Sequence, residues 1–329
     1  MTSAVDPTFG AFTEAFVDVH GSRVHYLHAG SGKPMLLIHG LVGSSRNWQD
    51  NISALSENAS VFAIDLLNVG KSDRIPGIDA GLEATADRVA ATIEALGLDR
   101  ADIAGHSHGG AVALMLAARH PDLVSSLILF APANPYSTSS DLMVRLYSSR
   151  LGGLLAKWAP YVPHAIQRIA LGRMYGDPAR ISETCLAGYI EDLRQPGAVE
   201  HIMQIVRCWF ADMARLKTAL PLVANVPTLL VWGDRDRAMS VKSGVRLQQM
   251  ITTSELVIIP GGGHVVFEEL SEKTNRVAIG WQKRNLGSSN HPASNSNDSP
   301  LHRLDSSGAS SLAVHTAQPA SMGQLSPDS

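Results

Sequence analysis

A five-residue turn, GHSHG at residues 105–109, constrains this chain more than any other feature. A short apolar run precedes it and a long apolar helical pattern follows it, so the sequence predicts a strand, a sharp turn and a helix. Ser107 falls at the turn, where the glycines on either side remove side chains that would collide with neighbouring backbone. This pattern predicts a hydroxyl pushed outward at the end of a strand, beside the unpaired N–H groups of a helix N-terminus.

A reactive serine needs more than this turn, because a lone GxSxG pentapeptide also occurs by chance between a strand and a buried helix. A serine hydroxyl is almost entirely protonated at neutral pH and becomes a nucleophile only with a base within hydrogen-bond reach. The hypothesis therefore requires a base, an acid and an oxyanion site elsewhere in the chain.

The composition favours a small-molecule partner. The chain has 329 residues, of which 45% are hydrophobic and 17% charged, as is typical of a globular protein with one large domain or one domain carrying an insertion. The net charge is -3 and no Lys/Arg-rich run occurs, which argues against a nucleic-acid partner. The oligomeric state is left open by these observations.

The sequence predicts a cytoplasmic protein without a membrane span. The N-terminal segment has neither the basic start nor the apolar stretch of a signal peptide, and no later apolar run reaches about 18 residues. The two cysteines, Cys185 and Cys208, cannot form a disulfide framework and fit a reducing compartment.

Strand and helix patterns alternate along most of the chain, which predicts an α/β fold with a mostly parallel sheet and helices on both faces. Helical patterns cover residues 45–55, 82–96, 241–250 and 265–282 in addition to the helix after the turn. The predicted strands cover residues 16–19, 23–28, 35–38, 61–66, 102–104, 127–130, 228–232 and 256–259.

The strand signals stop for a long stretch in the middle of the chain, which predicts an inserted helical subdomain. We therefore expect a core formed by residues 1–135 and 223–285, with a helical cap at residues 136–222. Residues 286–329 are rich in Ser, Pro and Asn and contain no aromatic residue, so we expect a disordered tail.

No metal or cofactor site is predicted. His25 and His28 lie on one predicted strand, but no Cys or acidic ligand accompanies them, and such a pair is more typical of partly solvated strand residues.

In its order of motifs the chain resembles the α/β-hydrolase superfamily, specifically its members with a helical cap inserted after the sixth strand. The resemblance covers about residues 16–283. In that family a nucleophile elbow follows the fifth strand, an acid the seventh and a histidine the eighth. Ser107, Asp236 and His264 occupy those places.

The base and the acid follow from this resemblance together with the chemistry that a serine nucleophile needs. His264 comes after a predicted strand and the glycine-rich loop PGGG, which can bring an imidazole to the carboxyl edge of the sheet. The loop WGDRDR offers two carboxylates; the family's usual spacing selects Asp236, and Asp234 remains the alternative.

The resemblance also implies an oxyanion hole made by the backbone N–H groups of Leu41 and His108. His39 is expected to brace its loop, and His106 and His108 to be structural or pocket-lining residues. One departure concerns the loop at residues 65–73, where Asn68 stands at a position that is usually glycine in the family.

These features predict a serine hydrolase that cleaves a small-molecule carboxylic ester through an acyl-enzyme on Ser107. Relatives that use an aspartate nucleophile are disfavoured by Ser107, and C–C bond hydrolases usually have tryptophan where Val265 follows the histidine. A C–C hydrolase, an acyltransferase, a cofactor-free perhydrolase and a ligand-binding protein of this fold remain alternatives. In the cap, Trp158 and Trp209 are candidates for substrate contact, although either could simply be core.

Overall fold

The computed structural model describes residues 12–138 and 141–288, which form an eight-stranded sheet in the order β1-β2-β4-β3-β5-β6-β7-β8. Strands β1, β2 and β4 pair antiparallel, and all pairs from β4 to β8 are parallel. The strands are β1 (Thr13–Val19), β2 (Ser22–Ala29), β3 (Pro34–Ile38), β4 (Ser60–Ile64), β5 (Ala101–His106), β6 (Val124–Phe130), β7 (Thr228–Gly233) and β8 (Ser254–Ile259).

Helices cover both faces of this sheet, so the predicted fold class is confirmed. The central strands β5 and β7 are buried along their whole length because helices pack on each side of them. The core helices are α1 (Gln49–Leu55), α2 (Leu82–Ala95), α3 (His108–Arg119), α9 (Val241–Met250), α10 (Val266–Glu269) and α11 (Ser271–Ser288). Side chains of α2 and α3 fill one apolar cluster, and those of α1, α10 and α11 fill the other.

Between β6 and β7 the described residues form helices and no strand, in agreement with the sequence pattern. These helices are α4 (Asp141–Ser148), α5 (Arg150–Ala156), α6 (His164–Gly172), α7 (Glu183–Arg194) and α8 (Ala198–Ala219). We call residues 136–222 the cap; its boundaries, like those of the core, remain predictions.

Two predicted helices differ in detail from the structure. The segment at residues 45–55 begins with a 3-10 turn, Ser45–Trp48, before α1 starts. The pattern at residues 265–282 contains a break at Leu270, whose φ of -131° and ψ of 47° are not helical, and α11 then continues to Ser288. The first three residues of the predicted tail therefore belong to α11, and residues 289–329 lie outside the described residues.

Within the two described ranges, no helix has both the length and the apolar character needed to cross a lipid bilayer.

The loop after β4 explains the residue that departs from the family pattern. Asn68 has a φ of 68°, in the left-handed region that glycine adopts most readily and asparagine next. Its side chain also closes the loop, because Oδ1 accepts the Ile75 N–H at 2.6 Å and Nδ2 donates to the Ile75 carbonyl at 3.1 Å. Asparagine thus replaces glycine here without requiring a different backbone path.

We expect Asn68→Ala to destabilise the protein more than Asn68→Gly. Both variants lose the two side-chain hydrogen bonds to Ile75. Only alanine must also adopt the left-handed backbone conformation against the preference of its Cβ, at a cost of about 1–2 kcal/mol. Glycine's greater flexibility in the unfolded chain offsets about 0.5–1 kcal/mol of that difference. Free energies of unfolding from urea titrations test this ranking, and equal losses in the two variants would contradict it.

Candidate active site

The turn at residues 105–109 has the geometry that the sequence predicts. Ser107 adopts φ 50° and ψ -116°, a conformation that non-glycine residues rarely occupy. A Cβ on Gly105 would collide with the backbone of Gly109 and Gly110, and one on Gly109 would collide with Ile38. The glycines therefore allow β5, the turn and α3 to pack closely while Ser107 carries the strain.

Backbone hydrogen bonds hold Ser107 in this conformation. Its N–H donates to the Phe130 carbonyl at 3.0 Å, which extends the pairing of β5 with β6. Its carbonyl accepts the Ala133 N–H at 2.8 Å, in addition to N–H groups of the first turn of α3. Strain at one residue is thus outweighed by hydrogen bonds of the rigid elements around it.

Ser107, His264 and Asp236 come together at the carboxyl ends of β5, β8 and β7. The Ser107 hydroxyl donates to Nε2 of His264 at 2.9 Å, and Nδ1 of His264 donates to Oδ2 of Asp236 at 2.9 Å. The carboxylate can only accept, so the proton of a neutral His264 lies on Nδ1 and Nε2 is free to take the serine proton.

The structure separates the two candidate acids. The Asp236 side chain is fully buried, and its second oxygen, Oδ1, accepts the backbone N–H groups of Ala238 and Met239 at 2.8 and 2.9 Å. Asp234 instead accepts the Gly261 N–H at 2.7 Å and so fastens the loop that carries His264. Of the two carboxylates, Asp236 is the one bonded to the imidazole.

A segment of the cap holds the histidine loop in place. The His264 N–H donates to the Met174 carbonyl at 2.7 Å, so backbone of the cap reaches the residue that contacts Ser107. The fully buried Glu269 carboxylate accepts the N–H groups of Gly263 and Gly176 at 2.7 and 2.9 Å and pairs with Arg180 at 2.8 Å.

Glu268 makes a second, partly buried connection between cap and core. All four of its donors are polar side chains, three from the cap and one from the core: Tyr175, Cys185, Tyr189 and Asn47. Burial, together with the nearby Glu268 charge, raises the pKa of Cys185 to about 12, so its thiol stays protonated and serves as a donor. Sequence reasoning missed both glutamates; the only signal was two adjacent acids, EE, inside the apolar pattern at residues 265–270.

His39 braces its loop and His106 supports the histidine loop. Nε2 of His39 accepts the Leu66 N–H at 3.1 Å, so its Nδ1 carries the proton and donates to the Gly40 carbonyl at 2.8 Å. Nε2 of His106 donates to the His264 carbonyl at 3.1 Å. Burial lowers the pKa of His39, and burial together with nearby His264 lowers that of His106 well below its usual range, so both rings are neutral.

The predicted oxyanion donors flank the serine. A Cβ on Gly40 would lie 3.5 Å from Cβ of Ser107, which places the residue before Leu41 against the nucleophile. His108 begins α3, where helix N–H groups have no intrahelical acceptor. Among the hydrogen bonds of the described residues, neither the Leu41 N–H nor the His108 N–H has an acceptor. Both remain predicted oxyanion donors.

A small cavity of about 20 Å³ lies beside these two residues. Its walls come from Leu41 and His108 in the core and from His201 and Ile205 on α8 of the cap. Nε2 of His108 is buried without a partner in the described structure, and burial lowers the pKa of His108 to about 3. Burial, reinforced by Arg88, lowers the pKa of His201 to about 4, so this polar lining carries neutral imidazoles.

A larger cavity, of about 560 Å³, lies between the cap segment around Tyr175 and the 3-10 turn at Ser45–Trp48. Neither Ser107 nor His264 lines it. Neither of these residues lines the small cavity, but Leu41 and His108, the two predicted oxyanion donors, do. For that reason the small cavity is the better candidate for the space that a reacting group occupies.

The Ser107 hydroxyl is less accessible than the sequence predicts, because the residue is only 8% exposed beneath the cap. The two cap tryptophans behave differently from each other: Trp158 is 65% exposed, whereas Trp209 is buried in an apolar cluster. Neither lines the two cavities described above, and their contact with substrate remains a prediction.

The strand histidines contact partners other than a metal. Nδ1 of His25 lies 2.8 Å from Asp65, and Nε2 of His28 lies 3.0 Å from the Ser60 hydroxyl. In the part of the chain that the structure describes, no group of three or more His, Cys, Asp or Glu side chains could hold a metal ion.

Comparison with known proteins agrees with the fold and the order of these elements. The model of the alpha/beta hydrolase fold family matches residues 33–270. An uncharacterized protein of Mycobacterium tuberculosis is 30% identical over 269 residues, covering 78% of this chain and 77% of that protein. A 2-hydroxy-6-oxo-2,4-heptadienoate hydrolase of Pseudomonas putida is 28% identical over 255 residues, covering 75% of this chain and 87% of the hydrolase.

A crystal structure described as a membrane phospholipase A matches with a TM-score of 0.72 at 27% identity, covering 85% of this chain and 87% of that one. The family model spans well over half of the chain, and the sheet order and the turn at Ser107 fit the fold that it describes. The chain therefore belongs to the alpha/beta hydrolase family.

Proposed function

We propose that this protein is a serine hydrolase that cleaves a small-molecule carboxylic ester through an acyl-enzyme on Ser107. The observation that carries the proposal is the unbroken pair of 2.9 Å hydrogen bonds from Ser107 through His264 to Asp236. Such a chain supplies the base that a serine hydroxyl lacks and fixes the tautomer of that base.

In the first step, Oγ of Ser107 bonds to the ester carbonyl carbon while its proton passes to Nε2 of His264. The resulting imidazolium is stabilised by Asp236, and the carbonyl oxygen, now negative, accepts the N–H groups of Leu41 and His108. The intermediate then collapses: the bond to the alkoxy oxygen breaks, and His264 returns the proton to the departing alcohol.

In the second step, water takes the place of the alcohol. His264 removes a proton from the water as its oxygen attacks the acyl carbon. Collapse then breaks the bond to Oγ, and His264 gives the proton to Oγ. The products are the carboxylic acid and free Ser107. Because His39, His106 and His108 have lowered pKa values, they remain neutral while His264 gains and loses its proton.

The small cavity beside Leu41 and His108 supports a compact acyl group. At about 20 Å³ it has room for roughly one small group, and Ile205 of the cap is among the residues that line it. The likeness to a phospholipase, which acts on carboxylic esters, is a further argument for ester cleavage over other reactions of this fold.

C–C bond hydrolysis is a second candidate, because the heptadienoate hydrolase of Pseudomonas putida is a relative. Val265, which stands where such hydrolases usually have tryptophan, argues against it. Acyl transfer and perhydrolysis would use the same acyl-enzyme with an alcohol or peroxide in place of water. Product analysis with each acceptor distinguishes them, and a ligand-binding protein would show no turnover.

We expect Ser107→Ala to lower kcat for p-nitrophenyl acetate by at least about ten-thousandfold while the protein stays folded. The turn is held by glycines and backbone bonds rather than by the hydroxyl. Fluorophosphonate labelling should disappear in the same variant, and Ser56→Ala, whose hydroxyl bonds only locally to the Ser53 carbonyl, should retain both activities. Substantial turnover by a folded Ser107→Ala protein would refute the assignment.

We expect Asp236→Asn to lower turnover by about ten-thousandfold, because the amide favours the wrong tautomer of His264. Asp234→Asn should cost less than about tenfold in rate, since the Asp234 carboxylate bonds to the Gly261 N–H and not to His264, and a lost hydrogen bond costs on the order of 1 kcal/mol. Steady-state kinetics of the two folded variants test this ranking. The reverse order would assign the acid to Asp234.

A further inference from the structure

The cap directs apolar side chains toward solvent in a regular pattern. On α5 and the turn that follows it, Leu151, Leu154, Leu155 and Trp158 are all exposed, at spacings of three, four and seven residues that place them on one face of a helix. Similar exposed residues occur on the neighbouring segments of the cap, and they are Leu142, Met143, Leu146, Tyr147, Tyr161, Ile166 and Ile169. We call this set the outer apolar surface.

The set has eleven exposed large apolar residues within residues 142–169, whereas the surface of a monomer usually carries such residues singly. Its helices bury their opposite sides, as Val144 of α4 and Ala156 of α5 show. Among the described residues, the outward stripe is therefore a face of folded helices that no other element covers. Trp158 and Tyr161, each with a polar group on an apolar ring, are the residue types enriched at a membrane–water interface.

The charges of the same segment have a single sign. Residues 142–176 contain no Asp or Glu, although the whole chain has a net charge of -3. Their basic residues are Arg145, Arg150, Lys157, Arg168 and Arg173. A cationic segment that also exposes apolar side chains is complementary to a surface with an apolar interior and negative headgroups.

The ion pairs of this segment leave much of that charge available. Lys157 pairs with Glu200 at 3.0 Å, and Arg168 pairs with Glu183 at 2.7 Å, both at exposed positions where such pairs are weak. Arg145 lies over the Phe210 ring at 4.8 Å, and in the described part of the chain no ion pair includes Arg173.

We propose that the outer apolar surface docks onto the surface of an anionic lipid bilayer. A second copy of the chain fits less well, because a symmetric interface would bring the same basic segment against itself. Apolar insertion supplies most of the binding free energy, and the arginines and lysine favour membranes that carry negative headgroups. The cap would then lie against the membrane.

Vesicle flotation of the full chain tests the proposal. The protein should float with vesicles of phosphatidylcholine containing roughly a third phosphatidylglycerol, and this binding should weaken in about 0.5 M salt because the attraction of exposed charges is screened. Vesicles of phosphatidylcholine alone should bind it at least about tenfold more weakly. Equal binding to both vesicles, or binding to neither, would overturn the proposal.

Matched variants distinguish binding through the outer apolar surface from non-specific adsorption to vesicles. The double variant Leu151→Ser with Leu154→Ser should lose vesicle binding, whereas Leu222→Ser, at a residue 69% exposed outside the outer apolar surface, should keep it. Arg173→Glu should weaken binding about tenfold or more, while Lys242→Glu should change it little. Turnover of p-nitrophenyl acetate in solution should be unchanged in all four proteins, which shows that they are folded.

Two further results would contradict the proposal. Equal loss of vesicle binding in Leu151→Ser/Leu154→Ser and in Leu222→Ser would show that no particular surface is used. A dimer in sedimentation experiments that the double variant abolishes would assign the outer apolar surface to a second copy.

Discussion

The backbone of Ser107 is the constraint on which the rest of the site depends. A residue with φ 50° at the junction of β5 and α3 is stable only because its N–H and carbonyl bond to the β6 side and because glycines allow close packing beneath it. That placement aims the hydroxyl at the edge of the sheet where the loops after β7 and β8 bring Asp236 and His264.

The cap also helps to hold the residues of the site in place. Met174 bonds to the backbone of His264, and the carboxylates of Glu268 and Glu269 join cap residues to the helix that follows the histidine. A movement of this cap segment would therefore shift the base relative to Ser107. The geometry thus couples the position of the cap to the alignment of the groups proposed to do the chemistry.

Local patterns in the sequence were enough to predict the strands and the turn at Ser107, because each depends on residues close together in the chain. The resemblance to the α/β hydrolases was needed to select the loops that carry Asp236 and His264. The hydrogen bonds by which Glu269 connects the core to the cap could not be predicted, since its partners Gly176 and Arg180 are some ninety residues away in the chain. Helical periodicity predicted a helical insertion but not which way the apolar faces of its helices point. Trp158, predicted either to contact substrate or to be core, is exposed on the outer apolar surface, and its contact with substrate remains a prediction.

The most direct test of the central claim is rapid-quench mass spectrometry during turnover of p-nitrophenyl acetate. If Ser107 is the nucleophile, the intact protein gains the mass of one acetyl group in the first turnover, and peptide mapping places it within residues 105–109. Release of p-nitrophenol should show a burst that matches the amount of acetylated protein. Turnover without an acyl adduct, or an adduct on another residue, would contradict the account.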